Sequence, residues 1–222
     1  MACRVVVILG LLTLLGCSGR TSEKSEFRAD GGPESVEPVK RDSTLIFDGK
    51  SLSGWEITNF GPQGPVSVSD GEIILGQGDG CTGITYSGSI PSLNYEVTLE
   101  ARRKEGNDFF CGLTFPAGND FCTFIAGGWG GTTVGLSCIN GKDASENETT
   151  SSMNFEKGRW YSIRLVVTES KIETWIDEEK VVDCNTAGKK ISIRPEVTLS
   201  KPMGITSWNT RAGIRNIRMR RL

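Results

Sequence analysis

Tyr95-Glu96-Val97-Thr98-Leu99-Glu100-Ala101-Arg102 decides the fold class. Tyr95, Val97, Leu99 and Ala101 share one side of an extended chain, and Glu96, Thr98, Glu100 and Arg102 share the other. That period of two marks a strand with one face in a core and one in solvent. The pattern recurs outward along the chain. Phe109, Cys111, Leu113 and Phe115 alternate with Phe110, Gly112 and Thr114, and Tyr161, Ile163, Leu165 and Val167 alternate with Ser162, Arg164, Val166 and Thr168. Lys171 to Asp177 and Lys180 to Asp183 read as a hairpin joined by an acidic turn, and Ile214 to Leu222 as a closing strand. The 28 glycines fall with Asn and Asp between short apolar runs, the composition of strands joined by tight turns. We therefore predict an all-β domain, a jelly-roll sandwich of two antiparallel sheets. No amphipathic helix and no nucleotide-binding glycine loop is evident.

The N-terminus has different physics. One positive charge at Arg4 precedes an apolar run from Val5 to Leu15, as in a secretory signal. The run is shorter than the roughly 20 residues that span a bilayer. It ends Leu14-Leu15-Gly16-Cys17, which resembles the lipobox of bacterial lipoproteins. The resemblance implies a signal peptide over 1–16, cleavage before Cys17 and lipidation of its thiol; an ordinary signal with an incidental cysteine is the alternative. Residues 17–42 are rich in Ser, Glu, Lys, Gly and Pro and are expected to be a flexible linker. The jelly-roll domain then occupies 43–222. These features predict an exported monomer in the cell envelope, held to a membrane surface by its lipid anchor.

Composition excludes several functions. Charge is balanced, with 25 basic and 27 acidic residues and no basic block, so no nucleic-acid partner is expected. There is no histidine, which removes Ser-His-Asp and Cys-His nucleophile systems and every imidazole base or metal ligand. Acid–base chemistry must use Asp, Glu, Lys, Tyr, Cys or water. Cys81, Cys111, Cys122, Cys138 and Cys184 lie in the domain, an odd set with no C-x-x-C motif. At least one is expected to remain unpaired within the chain.

Three landmarks point to a family. Leu45-Ile46-Phe47-Asp48-Gly49-Lys50-Ser51-Leu52-Ser53-Gly54-Trp55 resembles the opening of the 3-keto-disaccharide hydrolase family. Gly158-Arg159-Trp160-Tyr161, with Val166 and Ile172 to Asp177, is similar to its late hairpin, and Arg215-Asn216-Ile217-Arg218 with Leu222 to its closing strand. The resemblance implies a concanavalin A-like jelly roll, a carbohydrate ligand, and β-elimination on glycosides oxidised to a ketone at sugar carbon 3. Such a lyase or hydrolase needs a base for the hydrogen on carbon 2, an acid for the leaving oxygen and a cation or metal for the enolate. A non-catalytic carbohydrate-binding module, or a purely structural surface protein, is the competing reading.

Candidate residues follow from parity and turns. Glu100 is a candidate base and Arg102 an enolate clamp, if their strand face lines a concavity; a cross-strand ion pair is the plainer reading. Asp108 is either catalytic or a turn cap. Trp129, alone among Gly127, Gly128, Gly130 and Gly131, is expected to stack on a sugar or to sit in the core. Glu146 and Glu148 lie in the acidic segment from Asp143 to Thr149, which offers a carboxylic acid, polar sugar contacts or oxygen ligands for a divalent metal such as calcium. Trp208 and Asn209 are expected to face sugar, whereas Trp55, Trp160 and Trp175 are expected to be structural. If the set is one site, Glu100, Asp108, Glu146 and Trp129 share one concavity.

Overall fold

The computed structural model describes residues 43–222. The signal peptide over 1–16, Cys17 and the linker over 17–42 lie outside the described residues. Fifteen strands follow in order: β1 (Thr44–Leu45), β2 (Trp55–Ile57), β3 (Val66–Ser69), β4 (Glu72–Leu75), β5 (Cys81–Tyr86), β6 (Tyr95–Glu105), β7 (Cys111–Ala117), β8 (Asp120–Gly128), β9 (Thr133–Ser137), β10 (Ser151–Ser152), β11 (Tyr161–Val167), β12 (Lys171–Ile176), β13 (Glu179–Asn185), β14 (Gly204–Trp208) and β15 (Arg211–Arg221). A single 3-10 turn, Pro195–Ser200, lies between β13 and β14. One sheet runs β13-β12-β11-β6-β15-β4-β3, with β1 also on β15; the other runs β10-β9-β8-β7-β14-β5-β2. All pairings between these strands are antiparallel. This is the two-sheet jelly roll that the alternation predicts.

The inward sides of both sheets make one core. Tyr95, Val97, Leu99 and Ala101 of β6 join Ile163 and Leu165 of β11, Leu113 and Phe115 of β7, Phe124 of β8 and Leu136 of β9. The Tyr95 hydroxyl crosses between sheets to donate to the Pro116 carbonyl at 2.6 Å. Sequence alternation misplaces one pair. β7 begins at Cys111, and the irregular chain before it turns Phe110 into the core while Phe109 remains partly exposed. All five cysteines of the described domain are free and buried. Burial pushes the Cys111 thiol up to about 12. Among the described residues, no helix is long and apolar enough to cross a membrane.

The two outward faces differ. On the first sheet, Glu96 accepts hydrogen bonds from Arg220 and Arg164, both at 2.7 Å. Glu100 pairs with Arg215 at 2.5 Å, and Glu72 with Arg102 at 2.7 Å and Lys104 at 2.5 Å. Trp160 takes the guanidinium groups of Arg102 and Arg215, with centres 4.4 and 4.1 Å from its ring centroid, and Trp175 carries Arg164 at 4.2 Å. Trp160 and Trp175 are thus structural cover, and Trp55 is a core residue.

On the second sheet many of the outward positions are glycine or threonine. Gly83, Thr206, Gly112, Ile125 and Gly135 form one row across β5, β14, β7, β8 and β9. The 3-10 turn packs over β5 and β14. A side chain at Gly204 would stand 2.8 Å from the backbone oxygen of Ser200, and one at Gly135 would meet the Thr149 carbonyl at 3.0 Å. Small residues let these loops lie flat on the sheet.

The ionic face has a pH signature. Burial raises the proton affinity of Glu96, but hydrogen bonds from Arg220 and Arg164 outweigh it and hold the carboxyl below its ordinary 4.5. Its contribution is therefore present above that value and lost as pH falls through the lower, folded one. Glu96→Gln leaves two guanidinium groups without their carboxylate and is expected to cost about 2 kcal/mol at pH 7. Urea unfolding at falling pH checks this: the gap between variant and native protein should narrow below about pH 4.5, and a constant gap refutes it.

Candidate functional site

A cleft of about 270 Å³ opens where the loops of the second sheet converge. Cys81, Asp108, Phe109, Trp129, Ser137, Arg194, Glu196, Val197 and Trp208 line it. Cys81 opens β5 and stands in register with Trp208, the last residue of β14. Asp108 and Phe109 come from the chain entering β7, Trp129 from the β8–β9 connection, and Arg194 and Glu196 from the 3-10 turn and its approach. The site is thus built at strand ends and on loops.

Each side chain is fixed by local chemistry. The Asp108 amide donates to Thr210 Oγ1 at 3.1 Å, and its Oδ1 accepts the Phe109 amide at 2.7 Å. Among the described residues, no Lys or Arg forms an ion pair with the Asp108 carboxylate. Trp208 donates its amide to the Phe109 carbonyl at 3.0 Å. Asn209 turns the chain at φ 44°, and exchanges two bonds with Gly80: its amide donates at 3.0 Å and its Oδ1 accepts at 2.7 Å. Asn209 therefore aims Trp208 rather than lining the cleft.

Trp129 is 43% exposed and has φ 46°, flanked by Gly127, Gly130 and Gly131 at φ 80°, 89° and 111°. A bulky residue in the left-handed region costs of order 1 kcal/mol, and such strain gathers at ligand sites. The flanking glycines adopt positive φ without that penalty.

Arg194 joins two carboxylates. It donates to Glu196 at 2.8 and 3.3 Å and to Asp143 at 2.7 Å. Its hydrogen bonds hold the Glu196 carboxyl below the usual carboxylate range, so Glu196 is ionised at neutral pH. Burial, and then the Glu196 charge, push the Cys81 thiol up to about 12, which leaves it a poor nucleophile.

The sequence candidates therefore divide. Asp108, Trp129 and Trp208 meet in the cleft, with Asn209 behind Trp208. Glu100 and Arg102 do not join them: they lie on the outward face of the other sheet, committed to Arg215 and Glu72. Parity placed them outward, but a sandwich has two outward faces. Glu146 is exposed on the acidic segment and is not part of the cleft lining. Glu148 is exposed too and pairs with Lys189. The single expected concavity is corrected to a cleft holding Asp108 and Trp129 without Glu100 or Glu146. Among the described residues, no group of three Asp, Glu or Cys side chains forms a metal-sized cluster. In the acidic segment, Asp143 is occupied by Arg194, and Asn147 folds the loop by donating to the Leu136, Lys142 and Asp143 carbonyls. Sequence reasoning missed Phe109, Arg194 and Glu196. Only the charged pair flanking Pro195 hinted at the last two.

The model for the 3-keto-alpha-glucoside-1,2-lyase-like domain matches residues 42–220. Among solved structures, the fold is similar to a putative glycosyl hydrolase from Parabacteroides distasonis, at 15% identity and TM-score 0.53, covering 81% of this chain and 94% of that one. It is similar to a laminarinase from a Flavobacterium species, at 12% identity and TM-score 0.53, covering 79% and 99%. A carbohydrate-binding module from Bacillus subtilis aligns at 16% identity and TM-score 0.50, covering 74% and 93%. No curated protein matches the sequence.

Replacing Trp129 by glycine removes both the strain and an exposed indole. Trp129→Gly is expected to melt within about 3 °C of the native protein, or above it, because relief of strain offsets the lost contacts. A fall beyond about 5 °C in a thermal scan would make Trp129 a structural anchor.

Proposed function

We propose that this chain, which belongs to the 3-keto-alpha-glucoside-1,2-lyase-like domain family, eliminates the glycosidic bond of 3-keto-glycosides in the Asp108 cleft. The observation that carries the reading is a carboxylate without an ion-pair partner among the described residues, set between aromatic side chains and facing the same cavity as Arg194. Trp129 and Trp208 offer apolar faces for a pyranose ring. Asp108 then takes the hydrogen on carbon 2, whose acidity comes from the neighbouring ketone. The electron pair moves onto the ketone oxygen, where Arg194 supplies positive charge. Collapse of the enolate expels the glycosidic oxygen from carbon 1, which recovers the proton from Asp108 or water. The products are an alcohol and an enone, to which water can add. Glu196, held ionised by Arg194, is a poor acid and serves to orient the guanidinium. No histidine is needed for these steps.

The same proposal places the reaction in the cell envelope, with Cys17 lipidated and the linker over 17–42 as a tether to the membrane. A divalent metal such as calcium is not required by these steps. A non-catalytic carbohydrate-binding module is the second reading, favoured by the engagement of Glu196 with Arg194, which leaves one free carboxylate.

Turnover of p-nitrophenyl 3-keto-glucoside tests the choice. Asp108→Asn is expected to lower kcat on the order of a hundredfold or more, with KM within a few-fold of native. Absence of turnover by the native protein, with saturable sugar binding, selects the binding module.

A further inference from the structure

We propose that Arg103 is a positioning residue that holds Asp108 and Trp129 in one geometry from beneath the cleft. The role rests on that cleft being the sugar site.

The alternation of β6 turns residue 103 inward, like Leu99 and Ala101, so a guanidinium stands at the end of the core with only 5% of the residue exposed. Burying a cation is costly unless its donors are used. Arg103 uses them on backbone from two separate segments. Its Nε donates to the Asp108 carbonyl at 3.2 Å, and its Nη2 donates to the Gly127 and Gly131 carbonyls at 3.1 and 2.9 Å. Those two carbonyls stand two residues before and two after Trp129. Phe110 and Phe155 pack on the guanidinium, with centroids 5.3 and 5.9 Å away. Among the described residues, no carboxylate lies within ion-pair distance of it.

This arrangement also explains part of the glycine-rich run. Gly127 sits at φ 80°, and a side chain there would meet Nη2 of Arg103, so glycine at that position leaves room for the clamp. The planar fork matters as well as the charge. A lysine ammonium is a compact point charge, which cannot span both segments in the same way. Arg103 touches neither cleft nor ligand; it acts through the two loops it joins.

Indole N–H resonances of the full chain test this without any ligand. Five tryptophans give five signals, and Trp129 is identified by its loss in Trp129→Gly. In Arg103→Lys, the Trp129 signal should shift or broaden, while those of Trp55 and Trp175, in the two sheets, stay in place. An unmoved Trp129 signal overturns the proposal. So does movement of all the signals together, which would mean a general structural role. On p-nitrophenyl 3-keto-glucoside, kcat should fall on the order of tenfold in the same variant. Native protein that turns over no substrate counts against the elimination reading, while the resonances still decide Arg103.

Discussion

The register of β6 is the constraint on which the other features depend. The strand is paired along both edges, with β11 and β15, and its two faces have opposite demands. Inward, Tyr95, Val97 and Leu99 fill the core; outward, Glu96, Glu100 and Arg102 are engaged by oppositely charged partners. A slip of one residue would exchange the faces. It would bury unpaired charges, each at a cost of several kcal/mol, and strip the core of its largest side chains. The same parity carries residue 103 inward at the far end of the strand. The cleft thus takes part of its geometry from the alternation that specifies the core.

The two outward faces have accordingly different capacities. The first is saturated: its carboxylates are held by arginines and lysines, and the guanidinium groups are stacked on Trp160 and Trp175. Little there is free to meet a ligand. The second is floored with glycine and threonine, so loops from distant parts of the chain settle onto it. They leave a cleft across part of that face, where side chains from β5, β9, β14 and three connections meet. Chemical variety at this site comes from loops, and rigidity from the sheet beneath.

That division explains what was legible in the sequence. Alternation is a local signal, so β6, β11 and the two-sheet architecture could be read directly. Trp129 and Asp108 were visible because glycine runs and strand starts are local too. Parity could say that Glu100 and Arg102 point away from the core, but not which outward face carries a cleft; that is a property of the assembled sandwich. Phe109 was assigned to the wrong side because alternation was extended through the irregular chain before Cys111. Arg194 and Glu196 sit in a segment without period, and only tertiary folding brings them to Asp108. The Arg103 clamp depends on carbonyl oxygens, which no side-chain pattern reports.

Charge in the cleft narrows the chemistry that suits it. Arg194 is shared between Glu196 and Asp143, so that trio carries one net negative charge when ionised. Asp108 adds another in the same cavity, offset by the buried Arg103 guanidinium, whose charge is felt by Asp108. An acidic sugar would enter against this field, whereas a neutral keto-sugar would not. Under elimination the balance shifts during the reaction itself. Asp108 becomes neutral as it takes the proton, and the negative charge moves to the ketone oxygen. Arg194, still paired with Glu196 and Asp143, then shares the cavity with an enolate and a neutral Asp108, and Glu196 keeps its guanidinium plane fixed. Arg194 stays paired with Glu196 and Asp143 throughout, so the total charge of the site is unchanged by the elimination and only its distribution moves, from the Asp108 carboxylate to the ketone oxygen.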